Sequence, residues 1–377
     1  MLMGEEVGAV STLAERDLAT FVDLEPADWR PAFSELGVPA FRGSQVGAQV
    51  YHRLAPSYAA MTDLPQPLRQ ELEERLPLGL GAEVAVQADS DGVVKALLKF
   101  ADQGSAECVL LPYSYGTSAC LSSQVGCRQG CLFCATGASG FSRSLRAGEM
   151  MAQYLALARK AAPGRVSRVV MMGAGEPLDN YVELVKFLRR LNDPATFGVS
   201  FRRMTVSTVG LVPEIDRLAG EGLPIRLALS LHATTDEVRS LLIPENRRYP
   251  IGEILAAADR YAAASGRRVT YEFILIGGLT DQDEEAHRLA ALVGRHPGHV
   301  NLIPLNPTAH FPYQRPSKNR VRAFSDILQA QGVATTVRRT TGQEVDAACG
   351  QLRRRYDQRG DVIAPVRVQS AGTKPLP

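Results

Sequence analysis

From Ser118 onward the chain alternates between short β-type runs and amphipathic helical runs, and this alternation constrains the fold more than any other feature. The strand candidates are "ACLSSQ", "RVVMMG", "RMTVST", "IRLALSLH", "VTYEFILIG", "HVNLIPLN" and "TTVRRT". Between them lie "AGEMMAQYLALARKA", "YVELVKFLRRL", "EILAAADRYAAAS", "EEAHRLAALVGR" and "RVRAFSDILQAQG", each with apolar residues at helical spacing. Repeated strand–helix units give parallel strands joined by right-handed crossovers. The expected fold class is therefore α/β. Six or so units suit a partial (β/α)6 barrel better than a closed eightfold one, and ligands of such sheets collect at the carboxyl ends of the strands.

Upstream the pattern changes twice. Leu24 to Pro77 reads as helical, with "DWRPAFSELG" stopping at Gly37 and "LPQPLRQELEERLP" set between prolines. "EVAVQA", the turn "DSDG", "VVKALLKF" and "AECVLLP" then read as a hairpin and a third strand. The expected organisation is a helical accessory domain over 1–80, a β-hairpin linker over 81–115, a core barrel with a C-terminal loop over 116–352 and a flexible basic tail over 353–377. In 377 residues, no apolar run is long enough to span a bilayer, and the start lacks a basic segment followed by a long apolar one. The expectation is a cytoplasmic, monomeric protein without a membrane partner.

That compartment bears on the cysteines. Four of the six lie in "CLSSQVGCRQGCLFCATG", and in a reducing cell such a group points to a metal or to catalysis rather than to bridges. Cys127, Cys131 and Cys134 are spaced C-x3-C-x2-C on the loop that follows the first barrel strand. Structural zinc wants four closed ligands, usually two C-x2-C pairs, and no second pair is nearby. A 4Fe–4S cluster takes one thiolate per iron, so three cysteines leave one iron open to an outside ligand. Cys120 sits on the preceding strand, where pleating points it away from the loop. Cys108, in "AECVLLP", reads as a packed core thiol, and Cys349, in "TTGQEVDAACGQL", as a lone thiol in an accessible setting.

C-x3-C-x2-C within "CLFCATG" resembles the signature of the radical S-adenosylmethionine (SAM) superfamily. "SSQVGC" and "DAACGQL" resemble motifs of its RlmN/Cfr RNA methyltransferases, and the likeness runs from about Leu36 through Leu352. The resemblance implies a radical SAM barrel holding a 4Fe–4S cluster on Cys127, Cys131 and Cys134, with SAM chelating the open iron and Phe133 packing near its adenine. It further implies SAM contacts at Gly175 and Glu176 in "MMGAGEPLDN", at Ser207 in "TVSTVG", at Ser230, Leu231 and His232 in "LSLHA" and at Asn306 in "IPLNP". Ala174 departs from the family's usual Met, in a turn where that change alters packing more than chemistry.

The same resemblance implies a chemistry. Adenine C2 is not nucleophilic, so the reaction is divided in two, as covalent catalysis does. Cys349 takes a methyl group from one SAM, and a second SAM supplies the radical that activates it. The carbon then bridges protein and RNA until Cys120 resolves the adduct, leaving a Cys120–Cys349 disulfide. Glu107 matches an acid/base position of the family, although by pattern alone it reads as a solvated strand residue. The implied partners are 23S rRNA and tRNA, with an electron donor such as flavodoxin. The C8-methylating, resistance-conferring Cfr branch shares these cysteines, but "GEPLDN" and "GQEVDAACGQL" resemble the C2 branch more. Zinc binding without catalysis, or a radical enzyme acting on a protein or small molecule, are the other readings.

Positive charge is nearly all arginine and comes in knots at 202–203, 247–248, 267–268, 338–339 and 353–355. Solvated element ends explain any single pair. With an RNA substrate, Arg202, Arg247, Arg315, Lys318, Arg320, Arg338 and Arg353 are expected to border the barrel mouth and grip phosphate.

Overall fold

A computed structural model of the chain describes residues 20–296, 298–307 and 311–338. Cys349, Arg353 and the predicted tail over 353–377 lie outside the described residues.

Three helices come first: α1 (Trp29–Glu35), α2 (Phe41–Tyr51) and α3 (Gln66–Arg75). The chain leaves α1 through Gly37, whose φ of +77° suits glycine. Next come β1 (Ala82–Ala88), β2 (Val94–Lys99), β3 (Ser105–Tyr113) and β4 (Gly116–Cys120), each antiparallel to its neighbour. A separate two-stranded hairpin, β5 (Gln124–Gly126) with β6 (Phe141–Ser144), follows. The predicted alternation then unfolds as α4 (Ala147–Ala161), β7 (Val166–Met171), α5 (Tyr181–Asn192), β8 (Met204–Thr208), α6 (Val212–Gly220), β9 (Arg226–Ser230), α7 (Asp236–Leu242), α8 (Ile251–Ser265), β10 (Val269–Leu275), α9 (Asp283–Val293), β11 (Gly298–Pro304), α10 (Lys318–Ala330) and β12 (Thr335–Val337). The hairpin β5–β6 and the helices α6 and α7 are additions to the sequence-based expectation.

Ten strands form one sheet in the order β1-β2-β3-β4-β7-β8-β9-β10-β11-β12, parallel at every pairing from β4 onward. The order starts at β1 and stops at β12, which is the expected open, partial barrel. No helix among the described residues is long and apolar enough to cross a membrane.

The two faces of the sheet differ in chemistry because strand side chains alternate. Val169, Met171, Val206, Leu227, Leu229, Tyr271, Phe273, Val300 and Leu302 share one buried core with residues of the surrounding helices. The other face, which curves into a lumen, carries the alternate residues: Lys95, Cys120, Thr205, Ser207, Arg226, Thr270, Glu272, His299 and Asn301. Their shared side follows from the pairings Lys95–Val109–Cys120–Val170–Thr205–Arg226 and Ala228–Thr270–His299. A parallel sheet covered on both sides would be apolar on both. This face carries those polar side chains beside an apolar cluster of Val109, Leu111 and Val170.

The N-terminal helices belong to the same core. Trp29 stacks on Phe21 and on Tyr51, each at 5.6 Å between ring centroids. Tyr51 meets Phe197 edge-on at 5.6 Å, and Phe197 meets Tyr154 of α4 at 4.5 Å. Arg190 of α5 donates to the carbonyl of Val22 at 2.6 Å and pairs with Glu25 at 3.0 Å.

Candidate active site

The loop after β4 is held from both sides. Gln153 of α4 accepts from the amide of Ser122 and donates to its carbonyl, and the Ser122 hydroxyl donates to the carbonyl of Glu107 at 2.6 Å. Ser122 Oγ also accepts from the amide of Ala174 at 2.8 Å, which fastens the loop to the turn after β7. Gly126 has φ +84°, and a Cβ there would lie 2.0 Å from the carbonyl oxygen of Gly140, so only glycine lets the hairpin close at this point. Cys127 follows, its amide donating to Gly140 at 2.9 Å.

Cys127, Cys131 and Cys134 lie on this one loop, and none of them is in a disulfide. Burial pushes the Cys127 thiol up to about 12, with Glu176, Cys134 and Asp179 adding to the rise. Burial likewise holds Cys131 well above the usual thiol range, helped by Cys134 and Cys127. The three thiols thus act on one another and want cationic compensation, which an iron cluster supplies when it displaces their protons. Among the described residues no three such side chains surround a point at the ligand distances of a single ion. The hydroxyls of Ser123 and Thr136 are buried beside this loop with no hydrogen-bond partner, and polar ligand atoms would satisfy them. The donor set therefore fits a three-cysteine cluster with a polar co-ligand.

The neighbouring strand ends converge on the loop. Gly175 has φ +104°, and a Cβ there would meet Gln124 Cβ at 2.6 Å and Ser123 Oγ at 2.7 Å. The Glu176 carboxyl accepts from the amides of Leu178 at 3.1 Å and Val209 at 2.9 Å, which ties the ends of β7 and β8 together. Burial raises it to about 7 against those hydrogen bonds. Ser207 donates to the carbonyl of Met171 at 2.8 Å. Ser230 ends β9, and Leu231 is fully buried behind it. His232 is a non-glycine residue at φ +61°, a strained conformation of the kind that marks functional positions. Its Nδ1 accepts from the amide of Ile274 at 3.1 Å, so the imidazole is neutral with its proton on Nε2. Burial, with Arg239 beside it, depresses its pKa to about 3. Phe133 packs edge-on against His232 at 4.9 Å. Asn306 is exposed, its Oδ1 accepting from Arg315 at 3.0 Å.

Cys120 and Glu107 lie on the lumen side, apart from the cysteine loop. Cys120 is buried among Val93, Val109, Leu111, Val170 and Met172. Glu107 is not a solvated strand residue: it is 4% exposed and pairs at 2.8 Å with Lys95, which is fully buried. An ammonium next to it is what permits a carboxylate in this chamber. Cys108 faces the opposite side and is a core thiol, as expected.

Three residues escaped the sequence reading. Arg239 of α7 is completely buried and donates to the carbonyls of Val209 (by a close contact through Nη2), Leu231 and Ser230, the last two at 3.0 Å each, and to Asn246 Oδ1 at 2.7 Å. It thereby fixes two strand ends that carry expected SAM contacts, while the carbonyl of Leu242 in the same helix accepts from Leu132 in the cysteine loop at 3.0 Å. Lys95 and Glu272 complete the set. Glu272 accepts from Asn301 at 2.8 Å, and burial raises it to about 7 while Asn301 and Arg338 oppose the rise. The detectable signal was a single charge inside an otherwise apolar strand, "VVKALL" and "VTYEFIL". Of the arginines expected at the mouth, Arg247 lies beside α7 at the loop end of the barrel, whereas Arg202 precedes β8 at the opposite end.

Comparison with known proteins agrees with this geometry. Residues 121–290 match the family model for the radical SAM superfamily, and residues 20–77 the one for the ribosomal RNA large subunit methyltransferase N-terminal domain. A probable dual-specificity RNA methyltransferase RlmN of Symbiobacterium thermophilum is 48% identical over 329 residues, 86% of this chain and 89% of that protein. Its counterpart in Rhodopirellula baltica is 45% identical over 338 residues, 89% of this chain and 90% of that one. The crystal structure of a radical SAM methyltransferase from Sphaerobacter thermophilus superposes with a TM-score of 0.85 at 46% identity, covering 88% of this chain and 98% of that structure.

Proposed function

The chain belongs to the RlmN family of radical SAM methyltransferases, and from that premise we propose that it methylates carbon 2 of adenosine in RNA. The substrates are 23S rRNA at the peptidyl transferase centre and tRNA next to the anticodon. Membership implies a 4Fe–4S cluster and SAM. Cys127, Cys131 and Cys134 hold the cluster. Gly175, Glu176, Ser207, Ser230, Leu231, His232 and Asn306 line the SAM site, with Phe133 against the adenine. When bound, the cluster supplies the electron that splits SAM to a radical.

The protein's own residues do the rest. The Cys349 thiolate accepts a methyl group, which becomes the bridge to the RNA base, so each turnover consumes two SAM. Glu107, held by Lys95, exchanges the ring proton, and Cys120 resolves the adduct as a disulfide with Cys349. The helical segment over 1–80 is a second RNA-holding surface, 81–115 links it to the barrel over 116–352, and 353–377 is a basic tail. The enzyme works as a cytoplasmic monomer reduced by a flavodoxin-type donor.

The observation that carries this reading is the placement of Cys120 and Glu107 on one lumen face, at the strand ends from which the three-cysteine loop springs, in a chain 48% identical to an RlmN protein. The test is nucleoside mass spectrometry on hypomodified rRNA and tRNA, each treated separately with reconstituted enzyme, SAM and reductant. 2-Methyladenosine in both is the expected product. 8-Methyladenosine alone, or no methylated adenosine, contradicts the proposal.

A further inference from the structure

The end of the barrel away from the cysteine loop is basic at each of five consecutive parallel strands. Arg168 lies in β7, Arg202 and Arg203 precede β8, Arg226 opens β9, Arg267 and Arg268 precede β10, and His299 lies at the start of β11. Arg168, Arg226 and His299 share the lumen face by register, through the pairings Arg168–Ser118, Arg226–Thr205 and His299–Thr270. Among the described residues none of these six arginines has an ion-pair partner, and Arg267 Nε is buried with no hydrogen bond at all. They also act on one another: besides burial, Arg267 and Arg168 lower the pKa of Arg226, and Arg226 and Arg268 lower that of His299. Elsewhere many arginines pair with carboxylates, Arg143 with Glu149 and Arg260 with Asp216 among them. A ring of like charge left uncompensated is the electrostatic footprint of a polyanion site.

Aromatic surface stands at the same rim. Tyr113, which ends β3, and Tyr115, in the β3–β4 turn, are stacked at 5.0 Å with 7° between their planes. They are 37% and 62% exposed, and the guanidinium of Arg168 lies 4.5 Å from the Tyr115 ring. Exposed parallel rings capped by arginine are what unstacked bases pack on, while guanidinium groups take the phosphates. Tyr113 leads inward: it shares the lumen face with Leu111 and Val109, which pack on Cys120.

We propose that Tyr113, Tyr115, Arg168, Arg226, Arg268 and His299 form a docking rim for the single-stranded RNA that flanks the target base, so that the base enters the lumen from the end opposite the cysteine loop. The proposal rests on RNA being the substrate. The strand of β7, six residues at about 3.3 Å each, sets a depth of about 20 Å, so an extruded base and the loop approach the reaction chamber from opposite ends.

The test measures binding of an unmodified tRNA transcript across a salt series, on cluster-loaded enzyme. Arg168→Ala/Arg226→Ala is expected to weaken binding about tenfold and to flatten the log–log salt slope by about two. Tyr115→Ala is expected to weaken it about tenfold with the slope unchanged, since stacking releases no counterions. Iron content and SAM affinity remain at wild-type values in both, and Lys186→Glu on the outer helix α5 binds as wild type. Affinities within twofold of wild type for both rim variants overturn the proposal. So does intact RNA affinity with slower SAM cleavage by an acidic protein reductant, which makes the rim a docking site for the donor. A wild-type enzyme that neither binds nor methylates RNA overturns instead the substrate reading beneath it.

Discussion

Lys95 and Glu107 show why single residues decide this site. Both are buried, their charges 2.8 Å apart, and the lumen gives neither an aqueous alternative. Removing one partner of such a pair costs about 3–5 kcal/mol, because the other is left charged and uncompensated. Lys95→Met is therefore expected to lose that much in urea unfolding and Lys95→Arg much less; a loss below about 1 kcal/mol for Lys95→Met contradicts the pairing. Glu272 gives a pH test. Its carboxyl is raised to about 7 from an ordinary value of 4.5, so between those limits the folded chain binds more protons than the unfolded one. Its contribution to stability thus falls as pH rises from about 4.5 to about 7 and stays low above that. Glu272→Gln removes this dependence, so the variant gains on wild type by about 2–3 kcal/mol in urea unfolding across that window. An offset between the two that does not vary with pH contradicts the assignment. Neither Lys95 nor Glu272 was legible as functional in the sequence. "VVKALL" reads as a buried strand whose lysine is out of place, and only the register with β3 brings Glu107 to it.

At the scale of elements, the strands and most helices were legible because each obeys one period: "RLALS" alternates, and "YVELVKFLRRL" repeats every three to four residues. Of the missed elements, α6 has nine residues, but β5 and α7 are short. The strand β5 has three residues, and α7 has seven followed at once by a 3-10 turn. Yet α7 carries the clamp. Arg239 holds the carbonyls of Val209, Ser230 and Leu231, and the same helix receives the amide of Leu132 from the cysteine loop. Arg239→Met frees these carbonyls in a place without water, each at about 1–3 kcal/mol. The expected outcome is a folded barrel with a misplaced loop: reconstitution to well under half the wild-type iron content, and SAM affinity lowered at least tenfold. Full iron content with unchanged SAM affinity contradicts the clamp.

For the whole molecule, the helices before β1 share a buried core with the barrel. The chain of rings from Phe21 through Trp29, Tyr51 and Phe197 to Tyr154 makes Trp29→Ala a core truncation worth about 3–5 kcal/mol. One cooperative unfolding transition shifted by that amount is expected, and a separate early transition contradicts the shared core. The open sheet then presents two ends to one lumen, with the cysteine loop at one and the arginine rim at the other, and Cys120 and Glu107 on the lumen face of β4 and β3. The likeness to RlmN motifs made the cysteines legible; the division of the lumen by charge was not, because it appears only once five strand starts are aligned. The central claim is that a carbon passes through Cys349 to RNA and that Cys120 releases it. Intact-mass analysis of Cys120→Ala after one turnover with tRNA tests it most directly. The account predicts RNA covalently attached at Cys349 and little free product, whereas methylated RNA released at the wild-type rate with no adduct would contradict it.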